Sequence, residues 1–240
     1  MKVSIITVCY NSSSTIKKTI ESVLNQSYKN IEYIIVDGAS TDDTMKIVNE
    51  YVPLFGDRLH IISESDKGIY DAMNKGISIA SGDIVGILNS DDYYEVDAVM
   101  HIVDAMTQDK YQILYGFIRM INESGMEVTT ERISHNVLEQ RMIAHPACFV
   151  TKSVYDDFGV FDLQYISVAD YDFMLRMYRN KEVNFVPVDV VITNFVLGGM
   201  SASTTAWLDL LKLKSNYNFI SKKEYTKEVI KNKICKLIKR

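Results

Sequence analysis

The sequence is poor in cysteine and has no long apolar run. Its three cysteines, Cys9, Cys148 and Cys235, are an odd number without C-x-x-C spacing. This excludes a disulfide framework and a zinc knuckle and fits the reducing cytosol. No apolar run approaches the ~20 residues that a membrane-spanning helix needs, and the N-terminus lacks the apolar length and the small-residue cleavage site of a signal peptide. We therefore expect a cytoplasmic protein.

Four motifs of common enzyme classes are also missing. The chain has no G-x-G-x-x-G, no G-x-x-x-x-G-K-[ST], no H-E-x-x-H and no G-x-S-x-G. Classical dinucleotide binding, ATP hydrolysis by a phosphate loop, zinc proteolysis and serine hydrolysis therefore lose support. With 47% hydrophobic and 24% charged residues over 240 positions, the composition is typical of a globular protein with a large core.

Charge is distributed unevenly along the chain. The net charge is −5, but residues 222–240 hold eight Lys/Arg against two Glu, a net charge of +6, whereas residues 1–221 hold 18 against 29, a net charge of −11. The acidic body argues against nucleic acid as a partner, because duplex binding needs a broad basic surface.

The basic tail, residues 222–240, also carries an apolar stripe, formed by Val229, Ile230, Ile234, Leu237 and Ile238. This pattern is typical of a helix that lies on an anionic membrane surface, and it predicts peripheral attachment at the inner membrane face. A solvated helix that docks on its own domain fits the same lysine-rich pattern. Both interpretations of the tail remain open.

The first hundred residues alternate between β-branched runs and helical patterns. Continuous apolar runs, typical of buried parallel strands, predict strands over residues 2–10, 31–37, 59–63 and 84–88. Ile16, Ile20 and Val23 recur at helical spacing between the first two runs, and a second helix is predicted after the cap at 40–42. This βαβαβ order predicts an α/β fold, with a Rossmann-like, mostly parallel sheet flanked by helices.

The second half has a different pattern. The segments 112–121 and 128–132 flank a turn and predict a hairpin of a mixed sheet. Further elements are predicted as helices over 94–106, 153–158, 170–180 and about 207–220, and as a strand pair over 183–187 and 190–195.

These elements predict a main domain over residues 1–203 and a helical extension over 204–240. Within the main domain, we expect a nucleotide-binding half up to about residue 110 and an acceptor half after it. The extension contains the last predicted helix and the basic tail.

Acidic residues follow the predicted strands, at the edge where open α/β sheets bind ligands. Asp37 follows the second strand, and Asp91 and Asp92 follow the fourth. A carboxylate after the second strand can accept hydrogen bonds from a base or ribose, and paired carboxylates are hard oxygen ligands suited to Mg²⁺ or Mn²⁺. The alternative at both places is a turn that caps the next helix.

A third acidic pair, Asp170 and Asp172, lies in the first turn of a predicted helix. The helix dipole favours carboxylates there. One of the two is a candidate general base.

Taken together, these segments resemble glycosyltransferase family 2, with the GT-A fold, over roughly residues 1–203. The segment 3–11 resembles the family's first strand and base-binding loop, and 36–42 resembles its second. The segment 66–76 is similar to that of the subgroup that builds bacterial capsule, O-antigen and exopolysaccharide. Ser90-Asp91-Asp92 stands where the family carries its D-x-D-type metal motif.

The resemblance implies a pocket for a nucleoside diphosphate sugar, with UDP as the usual nucleotide. Thr7, Tyr10 and Asp37 would contact the base and ribose, and Asp66 would face the nucleotide. The other donor contacts that the resemblance implies are Asn11, Lys67, Gly68, Asn74 and Asp91.

The resemblance also implies a metal ion and a base. Asp92 would bind Mn²⁺ or Mg²⁺ directly, with Asp91 nearer the ribose or a metal-bound water. Asp170 would take the proton of the acceptor hydroxyl in a single displacement that inverts the anomeric centre. The chain departs from the family pattern at Ser90, the first position of a strict D-x-D, and at Ala169, where the family has glutamate before the aspartate.

The implied acceptor is a glycan or a lipid-linked sugar. His145 and Asp172 would lie near it. A closing loop is implied at Gly198, Gly199, Met200 and Ser201. Two other classes remain open: a nucleotide-sugar binding module without catalysis, which Ala169 favours, and a nucleotidyltransferase, although segment 11–14 is neither glycine-rich nor basic.

Overall fold

In the computed structural model, the described residues are 1–122, 124–198 and 204–238. Their strands are β1 (Val3–Cys9), β2 (Ile31–Asp37), β3 (Leu59–Ser63), β4 (Ile84–Ile87), β5 (Tyr93–Tyr94), β6 (Gln112–Ile121), β7 (Glu127–Glu131), β8 (Cys148–Thr151) and β9 (Asn184–Val196). Their α-helices are α1 (Ile16–Leu24), α2 (Thr44–Phe55), α3 (Ile69–Ile79), α4 (Ala98–Asp104), α5 (Lys152–Phe158), α6 (Ala169–Arg179), α7 (Thr204–Asn216) and α8 (Lys222–Ile238).

The strands form one mixed sheet in the order β3-β2-β1-β4-β8-β6-β9-β5, with β7 paired to β6. The first four strands are parallel, which confirms the prediction for this half. Every residue of β1 and β2 is buried, as their continuous apolar runs predict. The pairing of β1 with β2 ends at Cys9 and Asp37, so the loops that follow these strands leave the sheet side by side.

The helices cover both faces of the sheet. Ile16, Ile20 and Val23 of α1 belong to the core on one face, and Met73 and Ile77 of α3 belong to the core on the other. This arrangement confirms the helical spacing of the predicted α1.

Helix α3 lies especially close to β1. A Cβ atom at Gly76 would stand 2.5 Å from the Cγ2 atom of Ile6, so only glycine allows this approach. The close packing holds the second half of α3 directly against β1.

Two of the predicted elements are wrong, and one strand was missed. The strand pair over 183–195 is one strand, β9, whose register with β6 shifts beside Pro187–Val191, so a bulge takes the place of the turn. The helix predicted to begin at Tyr94 begins at Ala98, because Tyr93 and Tyr94 pair with β9. Strand β8 was not predicted, and it joins β4 to β6 in antiparallel pairing.

The C-terminal helices α7 and α8 contact each other, and α7 also packs on the main core, since Leu213 is fully buried within it. A hydrogen bond of 3.0 Å from the Tyr217 hydroxyl to Asp172 Oδ1 adds a polar tie to α6. None of the helices in the described part of the chain combines the length and the apolar character needed to cross a bilayer.

Candidate active site

The loops after β1, β2 and β4 are hydrogen-bonded to one another at the carboxyl edge of the parallel strands. Ser12 Oγ lies 2.8 Å from Ser90 Oγ, and the Ser12 N–H donates to Thr44 Oγ1 at 2.7 Å. The Asn11 N–H donates to Ser40 Oγ at 2.8 Å. The segments picked out by their position after strands therefore meet in one place, as expected for an open α/β sheet.

The first loop presents an exposed aromatic ring. Tyr10 is 64% exposed although it directly follows the buried strand β1. Asn11 next to it has φ = 50° and accepts a hydrogen bond from the Thr41 N–H at 2.9 Å. Asn11 thus holds the loop to its neighbour, and the Tyr10 ring remains free to stack on a planar group.

Thr7 and Asp37 lie beneath this surface rather than on it. The Thr7 side chain is fully buried and its Oγ1 accepts a hydrogen bond from the Tyr33 hydroxyl at 3.0 Å. Asp37 is also fully buried and accepts hydrogen bonds from Ser63 Oγ at 2.7 Å and from the Ser40 backbone and hydroxyl. In this structure Asp37 is the turn residue that organises the β2 loop, and its predicted contact with the nucleotide stays a prediction.

The loop after β3 brings Asp66 to the exposed ring. Asp66 Oδ1 accepts a hydrogen bond from the Gly68 N–H at 2.8 Å. A Cβ atom at Gly38 would stand 2.6 Å from Asp66 Oδ2 and 3.5 Å from Tyr10 Cδ2. Gly38 therefore provides the space in which Asp66 and Tyr10 come together. Gly68 has φ = 116°, a conformation that favours glycine.

We expect Gly38→Ala to weaken the binding of UDP, the nucleotide that the motif resemblance implies, about tenfold, a cost of roughly 1.4 kcal/mol, because the added methyl group displaces the Asp66 carboxylate. Isothermal titration of UDP measures the effect, and thermal unfolding checks that the variant is folded. Ser78→Ala, an equally small change on the exposed face of α3, is the control. Unchanged UDP affinity in Gly38→Ala would mean that Asp66 does not face the nucleotide.

Asp92 is fully buried behind the loop after β4. Its Oδ1 accepts a hydrogen bond from the Val196 N–H at 3.1 Å, and its Oδ2 accepts one from Asn89 Nδ2 at 3.2 Å. Burial, and next the negative charge of Asp91, raise the pKa of Asp92 to about 8. Asp91 is less buried, and burial also raises its pKa. With a pKa of about 8, Asp92 keeps its proton near pH 7, and a cation bound beside the pair would favour the ionised form of both carboxyl groups.

The residues of this loop fit a hard divalent cation. Asn89 Oδ1 is buried and has no hydrogen-bond partner, which is costly for a carbonyl oxygen unless a ligand completes it. Asp91 follows two residues later in the same loop and is close enough to Asp92 to raise its pKa. Carboxylate and amide oxygens are the donors that Mg²⁺ and Mn²⁺ prefer. In the described part of the chain, no three His, Cys, Asp or Glu side chains come together as a ready-made metal site.

Asp170 stands half-buried at the second position of α6 with one oxygen occupied. Its Oδ1 accepts hydrogen bonds from the Tyr70 hydroxyl at 2.7 Å and from the Tyr171 N–H at 2.9 Å. Within the described residues, Oδ2 accepts none. Asp170 thus has one fixed oxygen and one oxygen that remains available to receive a proton.

His145 lies in the core close to Asp170. It is 6% exposed, and its ring makes an edge contact with Phe161, with 5.5 Å between the centroids. Burial lowers the pKa of His145, although the negative charge of Asp170 acts in the opposite direction. Its predicted role near the acceptor stays a prediction.

Asp172 serves a different purpose from Asp170. It is 6% exposed, forms an ion pair with Arg176 Nε at 2.9 Å and accepts a hydrogen bond from the Tyr217 hydroxyl. Oδ2 is therefore occupied by Arg176 of the same helix, and Oδ1 by Tyr217, which follows α7. Of the two candidate bases, only Asp170 has a free oxygen among the described contacts.

Asn74, Lys67 and Gly198 can also be located. Asn74 Nδ2 donates to the Phe161 carbonyl at 2.9 Å, and its Oδ1 accepts from the Phe161 N–H at 3.1 Å, so the amide ties α3 to the loop before α6. Its predicted contact with the donor stays a prediction. Lys67 is exposed beside Asp66, and Gly198 is exposed at the end of β9 with φ = 122°. Gly199, Met200 and Ser201 lie outside the described residues.

Three contributors to the site were missed from the sequence: Tyr70, Asn89 and Ser12. Tyr70 stands inside the segment 66–76 and Asn89 directly precedes Ser90-Asp91-Asp92, but nothing in their spacing indicates a hydrogen bond to Asp170 or an unpaired carbonyl. Such features depend on contacts between distant segments, and they become visible only in three dimensions.

Residues 4–183 match the sequence model of one protein family, glycosyl transferase family 2. The chain belongs to glycosyltransferase family 2. A PGL/p-HBAD biosynthesis glycosyltransferase of Mycobacterium bovis is 30% identical to it over 204 residues, which cover 82% of this chain and 78% of the relative. The resemblance deduced from the motifs is confirmed, and the chain is a glycosyltransferase.

Two solved structures share the GT-A fold of this glycosyltransferase. Staphylococcus aureus TarS 1–349 in complex with UDP-GlcNAc superposes with a TM-score of 0.72 at 20% identity, covering 89% of this chain and 64% of that one. The mannosyltransferase PcManGT from Pyrobaculum calidifontis, in complex with GDP-Man and Mn²⁺, has a TM-score of 0.64 and covers 92% of this chain and 65% of that one. The chain thus spans about two thirds of the length of these two proteins, and the predicted GT-A fold is confirmed.

Proposed function

We propose that this glycosyltransferase moves a sugar from a UDP-sugar to a hydroxyl group of a glycan or lipid-linked acceptor, with inversion, in bacterial surface polysaccharide biosynthesis. One observation carries the proposal. Tyr70, which follows the Asp66–Gly68 segment of the donor loop by two residues, is hydrogen-bonded to Asp170 at 2.7 Å. A carboxylate with a free oxygen therefore stands beside the proposed donor loops, where a base for sugar transfer is needed.

The donor site is assigned to the loops after β1 and β3. The exposed Tyr10 ring offers a face for stacking on the base, and Asp66 offers a carboxylate oxygen beside it. Asn11 and Asp37 hold the loops that carry these groups. The complex of TarS with UDP-GlcNAc supports UDP as the nucleotide.

A divalent cation, Mn²⁺ or Mg²⁺, is assigned to Asp91 and the unpaired Asn89 Oδ1. Asp92, the direct ligand expected from the sequence, already uses both oxygens in hydrogen bonds and is fully buried, so we assign it to positioning the loop. When bound, the ion neutralises the negative charge that develops on the departing diphosphate. The Mn²⁺ in the PcManGT complex supports this assignment.

Asp170 is assigned the role of general base. Asp170 Oδ2 takes the proton of the acceptor hydroxyl while the oxygen of that hydroxyl attacks the anomeric carbon. The bond from this carbon to the diphosphate oxygen breaks on the opposite face, and UDP leaves with the bonding electrons. Because the transition state has oxocarbenium character, water must be kept away from the anomeric carbon.

The proposal is tested by measuring UDP release from a panel of UDP-sugars in the presence of Mn²⁺ or Mg²⁺. We expect slow, metal-dependent release from one donor and faster release when lipid-linked acceptors are added. UDP binding without release from any donor, with or without these acceptors, would favour the non-catalytic binding module.

We also propose that the basic tail attaches the enzyme to anionic lipid. Residues 222–238 form the helix α8, on which Ile230 is 51% exposed and the lysines at 222, 223, 227 and 231 face solvent. Each basic residue near an anionic surface contributes roughly 1 kcal/mol, an attraction that salt screens.

We expect deletion of residues 222–240 to reduce co-sedimentation with phosphatidylglycerol vesicles at least tenfold, as loss of even two such contacts at roughly 1 kcal/mol each would suffice. Vesicles of phosphatidylcholine alone are the control and should bind neither form. Equal co-sedimentation of the two forms would support the alternative in which α8 only docks on its own domain.

A further inference from the structure

Tyr70 is a buried tyrosine that takes no part in the proposed donor binding or proton transfer. It is the second residue of α3, 7% exposed, and its ring packs on Phe161 with 5.5 Å between the centroids. Its hydroxyl lies 2.7 Å from Asp170 Oδ1, although the two residues are 100 positions apart in the sequence. A buried hydroxyl with a carboxylate partner is a strong, charge-assisted contact.

The direction of this hydrogen bond is fixed. Burial, and next the negative charge of Asp170, hold the pKa of Tyr70 far above its ordinary value. The hydroxyl therefore keeps its proton and acts as the donor, and Asp170 Oδ1 accepts. The Tyr171 N–H donates to the same oxygen at 2.9 Å, so the two donors together occupy Oδ1 and leave Oδ2 open.

The turn of α3 that carries Tyr70 is hydrogen-bonded to the donor loop. The Gly68 N–H donates to Asp66 Oδ1 at 2.8 Å, and the Lys67 N–H donates to Asp71 Oδ2 at 3.0 Å. These bonds tie the loop to the first turn of α3, which contains Tyr70. Tyr70 thus belongs to the helical turn that holds the donor loop, and its hydroxyl reaches from that turn to Asp170.

We propose that Tyr70 is a positioning residue that fixes the Asp170 carboxylate relative to the donor, so that Oδ2 is the oxygen that receives the acceptor proton. This inference rests on the proposed role of Asp170 as the base. Tyr70 lies on the donor side of the site, and the base that it orients, Asp170, acts on the acceptor side. Precise orientation of a reacting group matters because a misplacement of about 1 Å can reduce the rate about a hundredfold.

The test is Tyr70→Phe, which removes the hydroxyl and keeps the ring against Phe161. We expect kcat for UDP release, with the UDP-sugar of the panel that the wild type turns over fastest, to fall about 10- to 100-fold. The affinity for UDP, measured by calorimetry, should stay within about twofold, since a tenfold change requires about 1.4 kcal/mol and Tyr70 makes no proposed contact with the nucleotide.

Tyr165→Phe is the matched control. Tyr165 is also buried in the same core, and its hydroxyl accepts a hydrogen bond from Asn216 Nδ2 at 2.8 Å. This variant loses a buried hydrogen bond without touching Asp170, and it should keep the wild-type kcat. Thermal unfolding of both variants compares the cost to stability.

Two outcomes would overturn the inference. A kcat of Tyr70→Phe within about twofold of wild type would show that Asp170 needs no such support. A parallel loss of kcat and UDP affinity would mean that the hydroxyl maintains α3 as a whole, a structural role only.

A second measurement combines Tyr70→Phe with Asp170→Asn in a double-mutant cycle, with thermal unfolding confirming that each variant is folded. We expect the loss of the hydroxyl to have no further effect on residual UDP release in an Asp170→Asn background, since the hydroxyl acts through that carboxylate. An additional loss would overturn the inference. Near-normal turnover of Asp170→Asn alone would instead contradict the proposed base, so the two failures are distinguishable.

Discussion

Asp170→Asn is expected to reduce sugar transfer about 10³-fold, within the roughly 10²- to 10⁴-fold range that general base catalysis contributes. An amide oxygen still accepts the hydrogen bonds of the Tyr70 hydroxyl and the Tyr171 N–H, so the local structure is retained. The amide nitrogen that replaces Oδ2 cannot take the proton of the acceptor. The measurement is kcat for transfer, with UDP affinity and thermal unfolding determined alongside.

Asp172→Asn is the matched control, because it makes the same chemical change two residues away on the same helix. Asp172 is bonded to Arg176 and Tyr217, so we expect a loss of about 1–3 kcal/mol in the free energy of unfolding and a kcat within about threefold of wild type. If Asp172→Asn abolished transfer and Asp170→Asn did not, the assignment of the base would be reversed.

The parallel half of the fold follows directly from the sequence. Strands buried on both faces must be apolar at nearly every position, and most positions of β1 and β2 are apolar. Their polar side chains, at Ser4, Thr7, Glu32 and Asp37, are hydrogen-bonded. The helix between them needs one apolar face, which Ile16, Ile20 and Val23 provide. Here the local pattern and the tertiary environment agree, so periodicity alone finds both the elements and their order.

The mixed half does not follow as easily, because its strands depend on distant partners. Tyr93–Tyr94 is a strand only because Thr193 and Asn194 pair with it across a hundred residues. The four residues of β8 are too few for a periodic signal, although the strand holds the two halves of the sheet together. In β9, Pro187 suggests a chain reversal, but a bulge accommodates it within one continuous strand.

The sequence was most informative about which loops meet and least informative about where single side chains face. Position after a parallel strand places Asp37, Asp66 and Asp91 at one edge of the sheet, and the contacts of Gly38 and Ser12 agree. It does not distinguish a side chain in the pocket from one beneath it. Asp37 and Asp92 are both fully buried and supplied with donors, which no spacing rule reveals.

Ala169 favoured a non-catalytic binding module at the level of sequence. In the structure its side chain is fully buried in the core and does not face the site. Asp170 next to it takes its hydrogen bonds from Tyr70 and Tyr171 instead. Asp170, the candidate base, therefore keeps its hydrogen-bond donors without a glutamate at position 169. This agrees with the chain's place among the glycosyltransferases.

Asp91→Asn is expected to lower metal-dependent turnover about a thousandfold, because a bound cation supplies several kcal/mol of transition-state stabilisation and each 1.36 kcal/mol changes the rate about tenfold. The variant should also lose its thermal response to Mn²⁺. For the wild type, Mn²⁺ at 100 times its Kd adds about 2.7 kcal/mol to the free energy of unfolding. Thermal unfolding with and without Mn²⁺ measures this effect independently of catalysis.

Asp92→Ala separates the two neighbouring carboxylates. It leaves the Val196 N–H and the Asn89 amide group without their acceptor, so we expect the metal-free variant to lose about 1–3 kcal/mol for each unsatisfied group. Asp91→Asn should not lower the stability of the metal-free protein, because it removes a negative charge that disfavours ionisation of Asp92. If Asp92→Ala abolished the Mn²⁺ response without a loss of stability, and Asp91→Asn retained that response, Asp92 would be the metal ligand, as the family motif suggests. The two variants therefore decide which of the two carboxylates binds the ion and which holds the end of β9 against the loop after β4.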